Sequence, residues 1–177
     1  MFKVSFDSRK ALEVILYITE NAPIKDIYHI LKIQFFADRN HLEQYGRFIT
    51  GDNYIAMKNG PVASNAYNFI KLARDSNQCF IDSDFAELIQ SSLQVGGGNE
   101  GHSVKALRKA DIEYLSQSDI NCLNKSVEEN GKLSFSDLNN KSHDDLWQCT
   151  DENNEILLES FVKYSSNPDE LRTYLNE

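Results

Sequence analysis

KDIYHILKIQFFADRNHLEQY, residues Lys25 to Tyr45, is the stretch that decides the fold of this 177-residue chain. Its apolar residues fall on nearly every side of a helical wheel, and a helix of that kind is buried. We therefore predict a central buried helix here. Gly46 follows directly and predicts the C-terminal end of the helix, because glycine readily adopts the left-handed conformation of a cap. The apolar residues are Ile27, Ile30, Leu31, Ile33, Phe35, Phe36, Ala37, Leu42 and Tyr45.

The segments on either side of the central helix have patterns of their own. Upstream, apolar residues recur at helical spacing from Ser8 to about Asn21 and predict an amphipathic helix. Downstream, residues 47–62, RFITGDNYIAMKNGPV, carry turn signals at Gly51-Asp52 and at Asn59-Gly60-Pro61. The residues between these turns, from Tyr54 to Ala56, predict a short strand or an extended loop.

The rest of the chain predicts shorter elements. Capping boxes start helices at Ser116 and Ser134, and a third such pair, Ser142 with Asp145, opens a turn. Two short strands, Leu93–Val95 and Val104–Leu107, flank a glycine-rich loop that we expect to be mobile. Further helices are predicted at about Ser64–Ser76, Asp84–Ser91, Glu155–Tyr164 and Pro168–Asn176.

These elements predict a mainly α (α+β) fold. We expect one helical domain over residues 1–177, arranged around the central buried helix, with a small β-hairpin or short sheet. The chain length fits a single domain. Residues 151–177 are expected to form C-terminal helices.

Composition and charge exclude several classes of function. The net charge of −9 argues against a nucleic-acid face, because phosphate binding needs clustered Lys and Arg. No apolar stretch is long enough to span a bilayer, and the N-terminus lacks a signal-peptide pattern. Cys79, Cys122 and Cys149 show no paired spacing, so we expect free thiols and a cytoplasmic protein.

Asp38 is the most informative candidate for a functional residue. It lies on the apolar side of a helix predicted to be buried, where an unpaired carboxylate would cost several kcal/mol. One hypothesis combines it with His41, His143 and Asp144 in a metal or acid–base site. The alternative is a structural hydrogen-bond network that fixes the turn after the helix. No established catalytic motif is present, so we expect neither an enzyme nor a cofactor.

The second turn also has two interpretations. Asn59-Gly60-Pro61 either leads simply into the helix at Ser64 or fixes a preformed partner-binding surface, to which a partner could add a strand. Trp147 similarly is either a core anchor or an interface residue. The residues of the predicted surface are Tyr54, Ala56, Met57, Lys58 and Asn59.

Three segments together resemble the Panacea (SocA-like) antitoxin domain. They are ADRNHLEQYGRFITGDNYIAMKNGPV (Ala37 to Val62), LSQSDI (Leu115 to Ile120) and SHDDLW (Ser142 to Trp147). The resemblance covers about residues 8–150. The residues identified as its structural motif are Asp38, His41, Tyr45, Gly46, Gly51, Gly60, Pro61, His143 and Trp147.

The resemblance implies a non-enzymatic antitoxin that neutralises a cognate toxin, encoded by an adjacent gene, through protein–protein contact. One subgroup of the family delivers its toxin to a cytoplasmic AAA+ protease, so a proteolytic adaptor is the alternative. Many members carry an extra DNA-binding helix-turn-helix, which we do not expect in this chain. A metal-dependent hydrolase built on Asp38, His41 and His143 is the third hypothesis.

Overall fold

The computed structural model describes residues 4–75, 81–96 and 102–176, and it confirms the mainly α fold. None of the helices within these ranges combines the length and apolar character needed to cross a membrane. The helices are α1 (Ser8–Asn21), α2 (Ile27–Tyr45), α3 (Ser64–Asp75), α4 (Ser83–Ser92), α5 (Gln117–Asn130), α6 (Phe135–Ser142), α7 (Asp145–Gln148), α8 (Leu158–Lys163) and α9 (Pro168–Asn176). The strands are β1 (Tyr54–Met57), β2 (Gly60–Ala63), β3 (Leu93–Val95), β4 (Val104–Ala106) and β5 (Glu155–Ile156).

Helix α2 is the central buried helix that the sequence predicts. The Asp26 side chain caps its N-terminus by accepting a 2.7 Å hydrogen bond from the His29 backbone N–H. Gly46 ends it with φ +70°. The backbone conformation favours glycine, and a Cβ atom at Gly46 would lie 2.1 Å from the exposed Tyr174 ring and would displace it.

A three-stranded antiparallel sheet follows α2, with strand order β2-β1-β5. Tyr54 pairs with Ala63 in β2 and with Ile156 in β5. Strand β1 is therefore the central strand and not an exposed edge, and the edges of this sheet are β2 and β5.

Strand β5 also corrects the helix predicted over Glu155–Tyr164. Asn153 adopts φ +68°, and its N–H donates a 2.7 Å hydrogen bond to the Ala56 carbonyl. The Ala56 N–H in turn donates to the Asn154 carbonyl at 2.9 Å. These bonds direct the chain alongside β1, so the helix begins only at Leu158.

The predicted helix starts are confirmed at two of the three serines. Ser116 forms a complete capping box with Asp119, and Ser134 accepts a hydrogen bond from the Asp137 N–H. The third predicted cap is wrong, because α6 continues through Ser142 and the Ser142 hydroxyl donates to the Asn139 carbonyl. Asp144 caps α7 instead.

Strands β3 and β4 form the predicted second hairpin and lie beside the start of α2. The Val104 N–H donates to the Lys25 carbonyl at 2.7 Å, and the Ile27 N–H donates to the His102 carbonyl at 2.9 Å. Most of the glycine-rich loop that we expected to be mobile lies outside the described residues, and so does Cys79.

Candidate binding groove

Asp38 lies wholly inside the protein and does not contact His143 or Asp144 in any described interaction. Its carboxylate accepts hydrogen bonds of 2.6 Å from the Ile49 N–H and from the Tyr54 hydroxyl. Burial raises the pKa of this carboxyl to about 6, although both donors act in the opposite direction. These contacts fasten the chain after α2 to strand β1.

His41, one turn further along α2, takes part in a second buried cluster. Its ring nitrogens lie 2.8 Å from the Arg47 carbonyl and 2.9 Å from the Ser118 hydroxyl. The neighbouring Asp119 is also buried and forms ion pairs with Lys10 at 2.6 Å and with Arg47 at 2.9 Å. This cluster joins α1 and the end of α2 to the start of α5.

The Ser142–Trp147 segment holds the tip of the β1–β2 hairpin. The His143 ring nitrogen Nε2 lies 2.9 Å from the Lys58 carbonyl, and Trp147 Nε1 donates to the Met57 carbonyl at 3.0 Å. Asp144 forms an ion pair with Arg39 on α2. The hypothesised site of Asp38, His41, His143 and Asp144 is therefore not assembled, and the part of the chain that the structure describes contains no metal-ligating cluster.

The other motif residues lie around the same turns. The exposed Tyr45 ring lies 4.7 Å from the His41 ring, between centroids. Gly51 has φ +71°, and a Cβ atom there would lie 2.2 Å from the Ser5 carbonyl oxygen. Pro61 is buried in β2. These positions shape the backbone between α2 and α3.

Only part of the predicted partner-binding segment reaches the surface. Tyr54 and Ala56 are buried, with exposed fractions of 1% and 0%, so the prediction that they are exposed is wrong. The Tyr54 ring instead packs edge-on against Phe35, and the Ala56 N–H and carbonyl are both bonded to the Asn153–Asn154 segment. Met57 is half-buried, and Lys58 and Asn59 are exposed at the tip.

The hairpin tip forms one rim of a groove of about 490 Å³. The first turns of α2, strand β2 and helices α3 and α6 supply the rest of its lining. Phe135, at the start of α6, is 51% exposed at this groove and lies 4.5 Å from the Tyr28 ring, between centroids. The residues that line the groove include Asp26, Tyr28, Leu31, Lys32, Met57, Lys58, Val62, Tyr67, Arg74, His102 and Phe135.

Lys32 is the most unusual residue of the groove. Its side chain is almost completely buried, and its ammonium donates a 2.7 Å hydrogen bond to the Pro61 carbonyl. It also lies 5.0 Å from the centre of the Tyr28 ring. Burial lowers the pKa of the amine to about 7, and no carboxylate among the described residues forms an ion pair with it.

Sequence reasoning missed Lys32, Tyr28 and Phe135 as groove residues. A signal for Lys32 was present, because a lysine inside the apolar run Ile30–Ile33 needs a buried partner or an opening. Phe135 gave a weaker signal as an aromatic residue directly after a helix cap. No local sequence pattern indicates that these three side chains lie close together, since about a hundred residues separate α2 from α6.

Together, the fold and the groove define a mainly α domain with a candidate binding site. The family model for the antitoxin SocA-like, Panacea domain matches residues 30–148, which is more than half of the chain. The chain belongs to this family, as the resemblance of its Ala37–Val62 segment predicted, and membership supports an antitoxin role in general terms. Comparisons with curated proteins and with solved structures found no match.

Proposed function

We propose that this protein is a cytoplasmic, non-enzymatic antitoxin that neutralises a cognate toxin by direct binding in the groove. The observation that carries this proposal is the open, largely apolar groove at the tip of the β1–β2 hairpin. The groove is built mostly from residues inside the family match, including Met57 and Phe135. Exposed apolar side chains around a concave site are typical of protein interfaces.

The two rims of the groove are held in place before any partner arrives. The carbonyls of Met57 and Lys58 at the tip are bonded to Trp147 and His143, respectively. The Tyr28 and Phe135 rings contact each other across α2 and α6. A preformed surface binds with a smaller entropic cost than one that must be ordered on binding.

Co-expression with the product of the flanking gene tests this proposal. The neighbour should be toxic alone and harmless beside the wild-type protein. Phe135→Ala should weaken protection and binding, because it removes an exposed aromatic wall of the groove. Leu157→Ala is the matched control, since Leu157 is similarly exposed (56%) but lies away from the groove.

The toxin's half-life separates neutralisation by binding from delivery to a AAA+ protease. Under direct neutralisation the toxin persists as a stable complex, whereas an adaptor shortens its half-life in cells that contain the protease. If no flanking product is toxic, or if Phe135→Ala protects as well as wild type, neutralisation through this groove is wrong.

A further inference from the structure

This inference rests on the proposed function and concerns what the groove recognises. We propose that the groove binds a short segment of the toxin in which an aspartate or glutamate is flanked by apolar side chains, with the carboxylate paired to Lys32. The carboxylate is the anchor, because it forms the ion pair with Lys32, and the apolar side chains beside it pack against the walls of the groove. Separate sets of contacts support these two features.

The anchor follows from the unused hydrogen-bonding capacity of Lys32. An ammonium carries three N–H donors, and the described residues satisfy one of them, through the Pro61 carbonyl. A buried cation is normally paired with an anion, because taking an unpaired charge out of water is costly. Because no carboxylate among the described residues pairs with Lys32, the carboxylate is the group that a partner would bring.

The charged residues of the groove favour an acidic partner. Lys58, Arg74 and His102 line the groove together with Lys32, whereas Asp26 is the one carboxylate among its described lining residues. Asp26 is already engaged by the His29 ring at 2.8 Å, and Arg74 is paired with Asp75 at 2.7 Å. The chain as a whole carries a net charge of −9, and against this background the cationic residues of the groove attract an acidic segment.

The apolar surround follows from the walls of the groove. Leu31, Met57, Val62, Tyr67 and Phe135 line it on five different elements. A volume of about 490 Å³ holds a few side chains, which suits a short segment and not the whole face of a folded partner. The apolar walls give affinity through the apolar surface that binding buries, and the buried cation gives specificity through its ion pair.

Selection from a random peptide display library tests the proposal even while the toxin is unidentified. The wild-type protein, Lys32→Met and Lys125→Met are each used as bait at pH 7. Lys32→Met removes the cation and keeps a side chain of similar length, and Lys125→Met removes an exposed lysine on α5, away from the groove. Wild type and Lys125→Met should enrich peptides with one acidic residue between apolar ones.

Binding of a selected peptide should weaken about thirtyfold or more in Lys32→Met and remain unchanged in Lys125→Met. The pH profile gives a readout that a purely structural lysine would not produce. Wild-type affinity should fall as the pH rises above about 7, because the Lys32 amine of the free protein loses its proton there while the bound state needs the charge. The affinity of Lys32→Met should stay flat, although it retains Asp26, Tyr28, Lys58, Arg74 and His102.

Several outcomes would overturn the inference. They are the enrichment of no peptide, the enrichment of peptides without acidic residues, and equal binding of acidic peptides by wild type and Lys32→Met. Competition by inorganic phosphate or acetate as effective as that of the peptide would point to a small-anion site and would also overturn it. If Lys32→Met does not fold, as judged by its melting curve, the pH profile of the wild type decides alone.

The toxin co-expression assay separates this inference from the proposed function. If wild type and Lys32→Met protect equally and Phe135→Ala does not, neutralisation in the groove stands and the carboxylate anchor is wrong. If wild type itself fails to protect, the proposed function is wrong, whatever the peptides show.

Discussion

The Tyr54 hydroxyl donates a 2.6 Å hydrogen bond to the carboxylate of Asp38, and both side chains are buried. This bond ties the central helix α2 to the middle strand of the sheet. It also places an ionisable group where water does not reach, and burial raises the pKa of Asp38 to about 6 from its ordinary value of 3.8. The free energy of unfolding therefore depends on pH through the ionisation of Asp38.

A group whose pKa is raised in the folded state makes its full contribution to stability at pH values below its unfolded-state pKa. This contribution is lost as the pH rises through the folded-state pKa. Relative to Asp38→Asn, the wild-type free energy of unfolding should fall by about 2 kcal/mol between pH 4 and pH 7. Urea unfolding of both proteins across this range measures the difference. Tyr54→Phe removes a donor that stabilises the charge, so its stability should fall more steeply than that of wild type. Parallel curves for wild type and Asp38→Asn would contradict the prediction.

Asp119 should show the opposite dependence on pH. Burial acts to raise the pKa of this carboxyl, but hydrogen bonds from His41, Lys10 and the Ser116 N–H outweigh burial and hold the pKa well below its usual range. A lowered folded-state pKa stabilises the fold above the unfolded pKa, and the contribution is lost as pH falls towards the folded value.

Asp119→Asn should therefore cost about 3 kcal/mol at pH 7, since it leaves Lys10 and Arg47 without their buried partner. The difference from wild type should narrow as the pH drops below 4. Asp137→Asn is the matched control, because Asp137 also stands three residues after an N-cap serine but is exposed. This substitution should cost about 1 kcal/mol or less. A cost that is independent of pH between 3 and 7 would show that the charge of Asp119 is not what stabilises the cluster.

Local patterns were sufficient for much of the fold. The all-round apolar character of Lys25–Tyr45 predicted α2, and Gly46 predicted its end, because both depend on residues close in sequence. The capping pairs at Ser116 and Ser134 predicted two helix starts for the same reason. The third pair failed at Ser142, because α6 continues through this residue and its hydroxyl donates to the Asn139 carbonyl.

Long-range contacts determined what the sequence could not predict. Strand β5 forms because Asn153 and Asn154 bond to Ala56, about a hundred residues away, and no local signal outweighs the helical pattern of Glu155–Tyr164. Tyr54 and Ala56 were expected at the surface because their sequence neighbours are turns. They are buried because both side chains lie on the face of β1 that packs into the core, where the Tyr54 ring contacts Phe35.

The Trp147 indole should control the local stability of the hairpin tip. Trp147→Phe keeps the aromatic packing and removes the 3.0 Å hydrogen bond from Nε1 to the Met57 carbonyl. The expected cost is about 1 kcal/mol, which corresponds to amide exchange about fivefold faster in residues 54–63. Tyr17→Phe is the control, because it removes one hydrogen bond of 2.7 Å, to Asn124, on a different part of the surface. Equal exchange at the tip in both variants would mean that Trp147 does not hold it.

Gly60 should be the least replaceable residue of the groove's framework. It has φ +98°, a conformation that costs an alanine about 1–2 kcal/mol, and its Cβ would lie 2.3 Å from the Ser142 hydroxyl and 2.9 Å from Lys32 Cε. Gly60→Ala should therefore lower the free energy of unfolding by more than about 2 kcal/mol, on the order of the combined strain and displacement.

Combining Gly60→Ala with Ser142→Ala separates these two causes. The double variant removes the nearest colliding atom and should recover part of the loss, while the backbone strain remains. Asn153→Gly is the opposite change, because it removes a Cβ at φ +68°, and it should leave stability equal to or above that of wild type. Thermal and urea unfolding of the three variants measure the effects. A Gly60→Ala protein as stable as wild type would mean that the tip adopts a different turn, and that the groove it frames with Lys32 is shaped differently.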